Sequence, residues 1–350
     1  MSAELGQTPT DEHPKDPVEL ALAPLDWVRG GLLRRFRRVV RPFVVDRDLR
    51  VALFGSVLVS LGLISTLFAP FWLLALGPIL LGVPHVMADI RYLVVQPGFH
   101  RQRLMWVCAG IPLAVAAIDG GVGLGLVGAL GALCIVPGPA WRRLVGATVL
   151  GALAAAAFRA GWIADLVFAH AHNFIAVALW WAWRPRTGKM HFIPLTLFVL
   201  ASVVLLVVPI ASLTGVSGSM FLAPAGLDLG YFASTLAPGA RPELALRLVL
   251  LFAFAQSVHY TIWLRLVPEE ARPQRTPRTF VRTYRALVED FGRPMLVIFA
   301  VVATAVAIWA TVDLAQARSG YLRMAIFHGH IELVAAALLW MRVGAPERAA

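Results

Sequence analysis

Residues 321–341 read YLRMAIFHGHIELVAAALLWM. The run has the length and apolar character of a bilayer-crossing helix, which needs about 20 residues to span about 30 Å of hydrocarbon. Inside it stand His328, His330 and Glu332, groups that are costly to desolvate and that, within a membrane, mark functional sites. The stretch therefore poses two questions: whether the whole chain is a membrane bundle, and what gathers polar groups at its centre.

Composition answers the first. Of 350 residues 59% are hydrophobic and only 15% charged, which lies outside the profile of a soluble globular protein. Working outward from 321–342, apolar runs recur at 51–68, 71–95, 104–119, 121–137, 144–158, 161–183, 192–214, 244–266 and 294–314. The predicted fold is all-α, a polytopic integral membrane bundle of about ten transmembrane helices. Residues 1–26, polar and proline-containing, read as a disordered cytoplasmic tail. Arginine-rich 27–50 (WVRGGLLRRFRRVVRPFVVDRDLR) reads as an amphipathic helix lying on anionic lipid headgroups. The transmembrane domain occupies 51–342, and 343–350 form a short tail. The glycines of 120–131 (GGVGLGLVGALG) are read as points of close helix approach, and Trp180, Trp181 and Trp183 as an interfacial belt.

The net charge of +11 does not signal nucleic-acid binding, because the basic residues lie in short clusters between apolar runs. With the N-terminus in the cytoplasm and ten alternating spans, roughly 26 of the basic residues fall inside and roughly five outside, as the positive-inside rule requires. Both termini are then cytoplasmic, and the expected location is a bacterial inner membrane. Lys15 and Lys189 are the only lysines and neither lies in an apolar run, which excludes a buried retinal Schiff base. Cys108 and Cys134, both in apolar segments, read as small core residues.

Six histidines answer the second question. His85, His170, His172, His259, His328 and His330 lie on four different spans, each within about 10 Å of the midplane at 1.5 Å per residue. Imidazole is the commonest metal-binding side chain, and coordination offsets the desolvation cost of the polar groups. His85 and Asp89 in GVPHVMAD, and His328 and Glu332, are four apart and share helix faces. Each carboxylate either completes a metal shell or takes the imidazole's other N–H; for Asp89, pairing with Arg91 is an equal alternative. The two histidines of HAHN and of HGH are about 200° apart on an ideal helix, so one of each pair faces the site unless the helix is distorted, as Gly329 would allow in the second. Pro84 is expected to kink the helix beside His85. Tyr260, adjacent to His259, and Gln256 on its face are candidates to position a ligand or substrate oxygen.

An all-imidazole set suits iron, copper or zinc, and a buried site reached from lipid suits a lipophilic substrate and O2. Residues 82–89, GVPHVMAD, resemble the Gly-x-Pro-His-x-x-x-Asp segment of the Brp/Blh family of integral-membrane carotenoid dioxygenases. The resemblance implies an iron centre held by histidines from several spans, with His85 a ligand, Asp89 its supporting carboxylate, and cleavage of β-carotene to retinal. The expectation is an Fe(2+)-dependent, histidine-ligated oxygenase; Asp89, Glu332 and Tyr260 are its candidate catalytic groups. Alternatives are a di-metal hydroxylase or desaturase, a haem-binding electron-transfer protein, and a proton or metal transporter.

Overall fold

The structure, a computed structural model, describes residues 16–119, 121–183, 188–208, 223, 224 and 226–342. The expected tails at 1–15 and 343–350 and the arginines Arg184 and Arg186 lie outside the described residues. Among the described residues the chain is helical throughout, and seven helices are long and apolar enough to cross a membrane, which makes it an integral membrane protein. They are Arg47–Phe68, Pro70–Val95, Ala140–Ala160, Trp162–Trp181, Pro242–Glu270, Phe280–Val312 and Leu314–Arg342; Arg103–Ile118, Val122–Ile135 and Phe192–Val207 are shorter apolar helices.

The N-terminal region is helical earlier than the sequence suggests. α1 (Pro17–Arg35) begins within the expected tail, with a proline in its first turn and the Asp16 side chain capping the Val18 N–H. What holds it is tertiary. Glu19 makes a two-pronged contact with Arg285 at 2.7 and 2.9 Å, and Asp26 accepts from the backbone N–H groups of Phe280 and Val281. After a break at Phe36, α2 (Arg37–Val45) ends at Asp46, whose carboxylate caps α3 (Arg47–Phe68).

α4 (Pro70–Asp89) runs through Pro78 and Pro84 and passes into a π-helical turn, Ile90–Val95. After α5 (Arg103–Met105) comes a second π-helical turn, Trp106–Gly110, then α6 (Ile111–Asp119), α7 (Val122–Ile135) and α8 (Ala140–Ala160). α9 (Trp162–Trp181), α10 (Phe192–Val207) and the short α11 (Leu229–Leu236) lead to α12 (Pro242–Thr261). α12 continues as a third π-helical turn, Ile262–Leu266, and then α13 (Val267–Glu270). α14 (Phe280–Val312) is broken at Gly292, whose φ of 74° no other residue type adopts readily. α15 (Leu314–Ala325) and α16 (Phe327–Arg342) meet at Ile326, directly before the HGHIE segment.

α12 is the central column. Leu250, Phe254, Val258 and Trp263 on or just after it pack with Val59, Trp180 and Leu205 in one core cluster, as expected of a helix apolar all round. Trp180, expected at an interface, is instead 1% exposed in this core, and Trp183 stands edge-on to Trp263. Because lipid tails are as apolar as leucine, close packing rather than escape from water holds such helices together. The glycines of α7 allow that approach to α16 and α6: a Cβ on Gly125 would overlap the His330 ring, and one on Gly131 would overlap the Cys108 backbone.

One end of the bundle is arginine-rich. There Arg50 binds Glu269 at 2.5 Å, Arg265 joins it at 2.8 Å, and Arg272 makes a further close contact with the same carboxylate. Arg91 meets Asp290 at 2.6 Å, and the side chains of Arg142 and Trp340 each donate to the other's main-chain carbonyl.

Candidate metal centre

Four helices, α4, α9, α12 and α16, converge at mid-depth and bring four imidazoles together. The His85 ring is 4.5 Å from that of His259 and 5.1 Å from that of His328. His172 closes the group, 5.4 Å from His259 and 5.6 Å from His328. His85, Asp89, His259 and Glu332 are completely buried.

The hydrogen bonds define which nitrogen is bare. His259 Nδ1 lies 3.0 Å from Asn173 Oδ1, and the Asn173 amide in turn donates to the Ala169 carbonyl at 3.2 Å. His172 Nδ1 bonds the Ala169 carbonyl at 2.7 Å, and His328 Nδ1 bonds the Ala325 carbonyl. A carbonyl oxygen only accepts, so in all three rings Nδ1 carries the hydrogen and Nε2 keeps its lone pair. This is how a metal-binding histidine is held: one nitrogen tied to an acceptor, the other presented.

Nε2 of His85, His259 and His328, and both carboxylate oxygens of Asp89 and Glu332, are buried without an aligned hydrogen-bond partner. His85 Nε2 is 3.1 Å from Asp89 Oδ2, and His259 Nε2 is 2.9 Å from Glu332 Oε1. In the second pair a ring lone pair faces a carboxylate lone pair, which repels unless a proton or a cation lies between them. An unsatisfied buried polar group costs about 1–3 kcal/mol, so a cluster of them is a heavy charge on a protein whose total stability is about 5–15 kcal/mol. A cation held by either group would satisfy the members of that group.

Distances fit that role. Ring nitrogens of His85, His259 and His328 lie within 4.8 Å of one another, as do one ligand atom each of His85, Asp89 and Glu332. Donors in one shell with bonds of about 2.0–2.2 Å are at most about 4.4 Å apart, so a small contraction closes either group on an ion.

The HxH spacing divides each pair. His170 turns away from the cluster and hydrogen-bonds the Leu236 carbonyl at 2.8 Å, against Phe252. His330 turns toward α7, stacked on Phe168 over Gly125. Glu332 meets His259 on the neighbouring helix instead of its own helix-mate His328. Asp89 turns to His85, while Arg91 takes Asp290 and the Ala286 carbonyl. Tyr260 lies 4.8 Å ring-to-ring from His85 and accepts from Gln256 at 3.3 Å.

Two residues not singled out in the sequence belong to this centre. Asn173 follows His172 directly and fixes His259; the signal was the polar last letter of HAHN. Tyr321, 1% exposed, fits its ring against Gly82, where any Cβ would collide with it. Only the fold reveals that pairing.

An apolar cavity of about 320 Å³ flanks the centre, lined among others by Ile90, Phe99, Met105, Trp106, Phe327 and Ile331. Three of these residues directly neighbour Asp89, His328 and Glu332 in the chain. No protein-family model matches the sequence, and no curated protein or solved structure is similar to it.

Proposed function

We propose that the chain is a membrane-embedded, histidine-ligated non-haem iron oxygenase that acts with O2 on a lipophilic substrate, carotenoid cleavage to retinal being the reaction its GVPHVMAD segment implies through the resemblance to the Brp/Blh family. The observation that carries this reading is the set of fixed tautomers: His259 and His328 with Nδ1–H committed and Nε2 without a hydrogen-bond partner, beside His85 and the carboxylates of Asp89 and Glu332, and His172 held by the Ala169 carbonyl at the edge of the group. His85, His172, His259 and His328 would hold the ion. Bound there, iron supplies the activation of O2 that an organic side chain cannot.

The protein's own groups do the rest. Asn173 orients His259, the Ala169 and Ala325 carbonyls orient His172 and His328, and Asp89 and Glu332 balance the ion's charge in a site closed to water. Tyr260, its ring 4.8 Å from that of His85 and its hydroxyl accepting from Gln256, is the candidate to position an oxygen of the ligand. The apolar cavity holds a hydrocarbon chain beside the centre. Cleavage of a polyene double bond by O2 places one oxygen atom in each of two aldehydes and requires no external reductant, which suits a site sealed at mid-membrane.

The same reading takes ten spans, the seven long helices with the three shorter apolar ones, and puts the arginine-rich end and both termini in the cytoplasm of a bacterium. A second reading has a specific support: the two candidate groups share His85, one all-nitrogen and one carboxylate-rich, as a di-metal hydroxylase would need.

Elemental analysis of protein purified from detergent separates these readings. About one iron per chain without a Soret band supports the first, and two metals support the second. His85→Ala and His259→Ala should each abolish metal retention while leaving membrane insertion intact. Protein that holds no metal and takes up none when offered iron(II) overturns both, and would leave the imidazoles as a proton relay.

A further inference from the structure

A second cavity, of about 470 Å³, opens at the arginine-rich end. Three segments enclose it, each at a point where a span stops. The turn after α4 contributes Gln96 and Arg101, the chain after α13 contributes Arg272 and Arg278, and Glu289 and Asp290 of α14 lie just before the break at Gly292. Beyond that break α14 becomes apolar, so the cavity sits at the depth where a bilayer presents its headgroups.

Its charges are unequally used. Asp290 already accepts from Arg91 at 2.6 Å and from Gln96 at 3.2 Å. Arg272 has one carboxylate partner, Glu269, which it shares with Arg50 and Arg265, and its Nε is buried without a hydrogen-bond acceptor. Burial, the leading cause, lowers the Arg272 pKa from its ordinary value; Glu269 opposes the shift, and Arg50 and Arg265 add to it. Arg101 touches only the ring nitrogen of its neighbour His100, at 3.3 Å. Arg278 makes no ion pair among the described residues. Glu289, exposed at the rim, is the one carboxylate of the lining not engaged by an arginine. Three guanidinium groups thus converge with spare donors, and planar guanidinium forks match the oxygens of phosphate.

We infer that this cavity is a binding site for a phosphate-type oxyanion, the chemistry shared by an anionic phospholipid headgroup and by soluble phosphate. It stands apart from the metal centre and does not rest on the oxygenase reading. It is also distinct from the general attraction of the basic N-terminal helices for a charged surface, because its arginines line one cavity to which those helices do not contribute.

The test uses the full-length protein in neutral detergent and the variant Arg101→Ala/Arg278→Ala, neither of whose residues holds an internal carboxylate, so that folding is preserved. An unchanged thermal midpoint verifies that. Native mass spectrometry with added phosphatidylglycerol or diacylglycerol, and calorimetric titration with inorganic phosphate, read binding. Removing two charge-assisted contacts should weaken binding at least about tenfold, with Arg278→Lys in between. Phosphatidylglycerol retained by the wild type, lost in the variant and not matched by diacylglycerol, identifies the lipid headgroup. Saturable inorganic phosphate binding that the variant loses, without lipid retention, identifies soluble phosphate. Equal binding by variant and wild type, equal retention of diacylglycerol, or no binding of either phosphate source overturns the site.

Discussion

Glu269 and Glu332 are both buried acidic groups of one bundle, and their surroundings differ in kind. Glu269, at the arginine-rich end, is met by Arg50, Arg265 and Arg272. Glu332, at mid-depth, faces a single imidazole nitrogen at 2.9 Å and has no aligned hydrogen bond on either oxygen. The first carboxylate ties α3 to α12 and the chain beyond it, and its charge is spent. The second has only that imidazole contact and the packing around it, and no cationic side chain meets it among the described residues. Satisfied networks build a fold, whereas Glu332 stands unsatisfied beside a second such pair, His85 and Asp89, and the proposed ion is what would use both.

Breaking the satisfied side should cost the most. Glu269→Ala removes the carboxylate shared by Arg50, Arg265 and Arg272 and leaves the buried Arg50 only main-chain carbonyl partners among the described residues, and loss of one partner of such a pair costs about 3–5 kcal/mol; a fall in detergent thermal midpoint and in folded yield measures it. A midpoint close to wild type would place this network among the peripheral ones. On the unsatisfied side, Asn173→Ala should leave the fold standing but free the His259 ring, weakening metal retention by about 10–100-fold, the usual cost of removing such a supporting partner. Competition with a chelator reads that directly, and unchanged retention would show that Asn173 has no part in setting the ring. Smaller still, His170→Ala should leave metal content untouched and lower stability by about 0.5–1.5 kcal/mol, the net worth of one hydrogen bond; metal loss here would return His170 to the centre.

The smallest effect lies outside the spans. The Val18 N–H chiefly holds the Asp16 carboxyl below its ordinary 3.8, and the Arg285 hydrogen bond holds Glu19 below 4.5. Because the folded values lie under the unfolded ones, the clamp between α1 and α14 is complete above the ordinary carboxylate range and is lost as pH falls through the depressed values. Protection of the α1 amides, taken relative to their intrinsic exchange rates, should therefore hold at neutral pH and fall once the pH drops below the ordinary carboxylate range. Protection that does not change on acidification would mean that apolar contacts alone dock the helix.

Much of this was legible before any coordinates. Apolar run lengths gave the helices, and the recurrence of histidine at one depth pointed to a shared centre. The 200° separation within HAHN and HGH foretold that each pair would divide, but not which member would face inward. That choice is tertiary: the Leu236 carbonyl, from a segment far along the chain, engages His170, and the space above Gly125 admits His330. Asn173 escaped notice because its partner lies 86 residues away, beyond any periodicity. The early start of α1 was hidden for a similar reason, since its acidic residues look like a solvated tail until Arg285 and the start of α14 supply their partners. Trp180 looked interfacial because it precedes arginines, yet its face of α9 is the one that packs on α12.

The π-helical turns at Ile90–Val95 and Ile262–Leu266 follow immediately after the helices that carry His85 with Asp89 and His259 with Tyr260. A π turn holds an extra residue, so everything beyond it is rotated relative to what precedes it. The arginine-rich end is thus mechanically offset from the metal-binding stratum by a slipped stitch in each helix. Deleting one residue from either turn would rotate Gln96 or Glu269, which follow it, by about 100° while the imidazoles before it keep their register, so one storey of the bundle is re-clocked independently of the other.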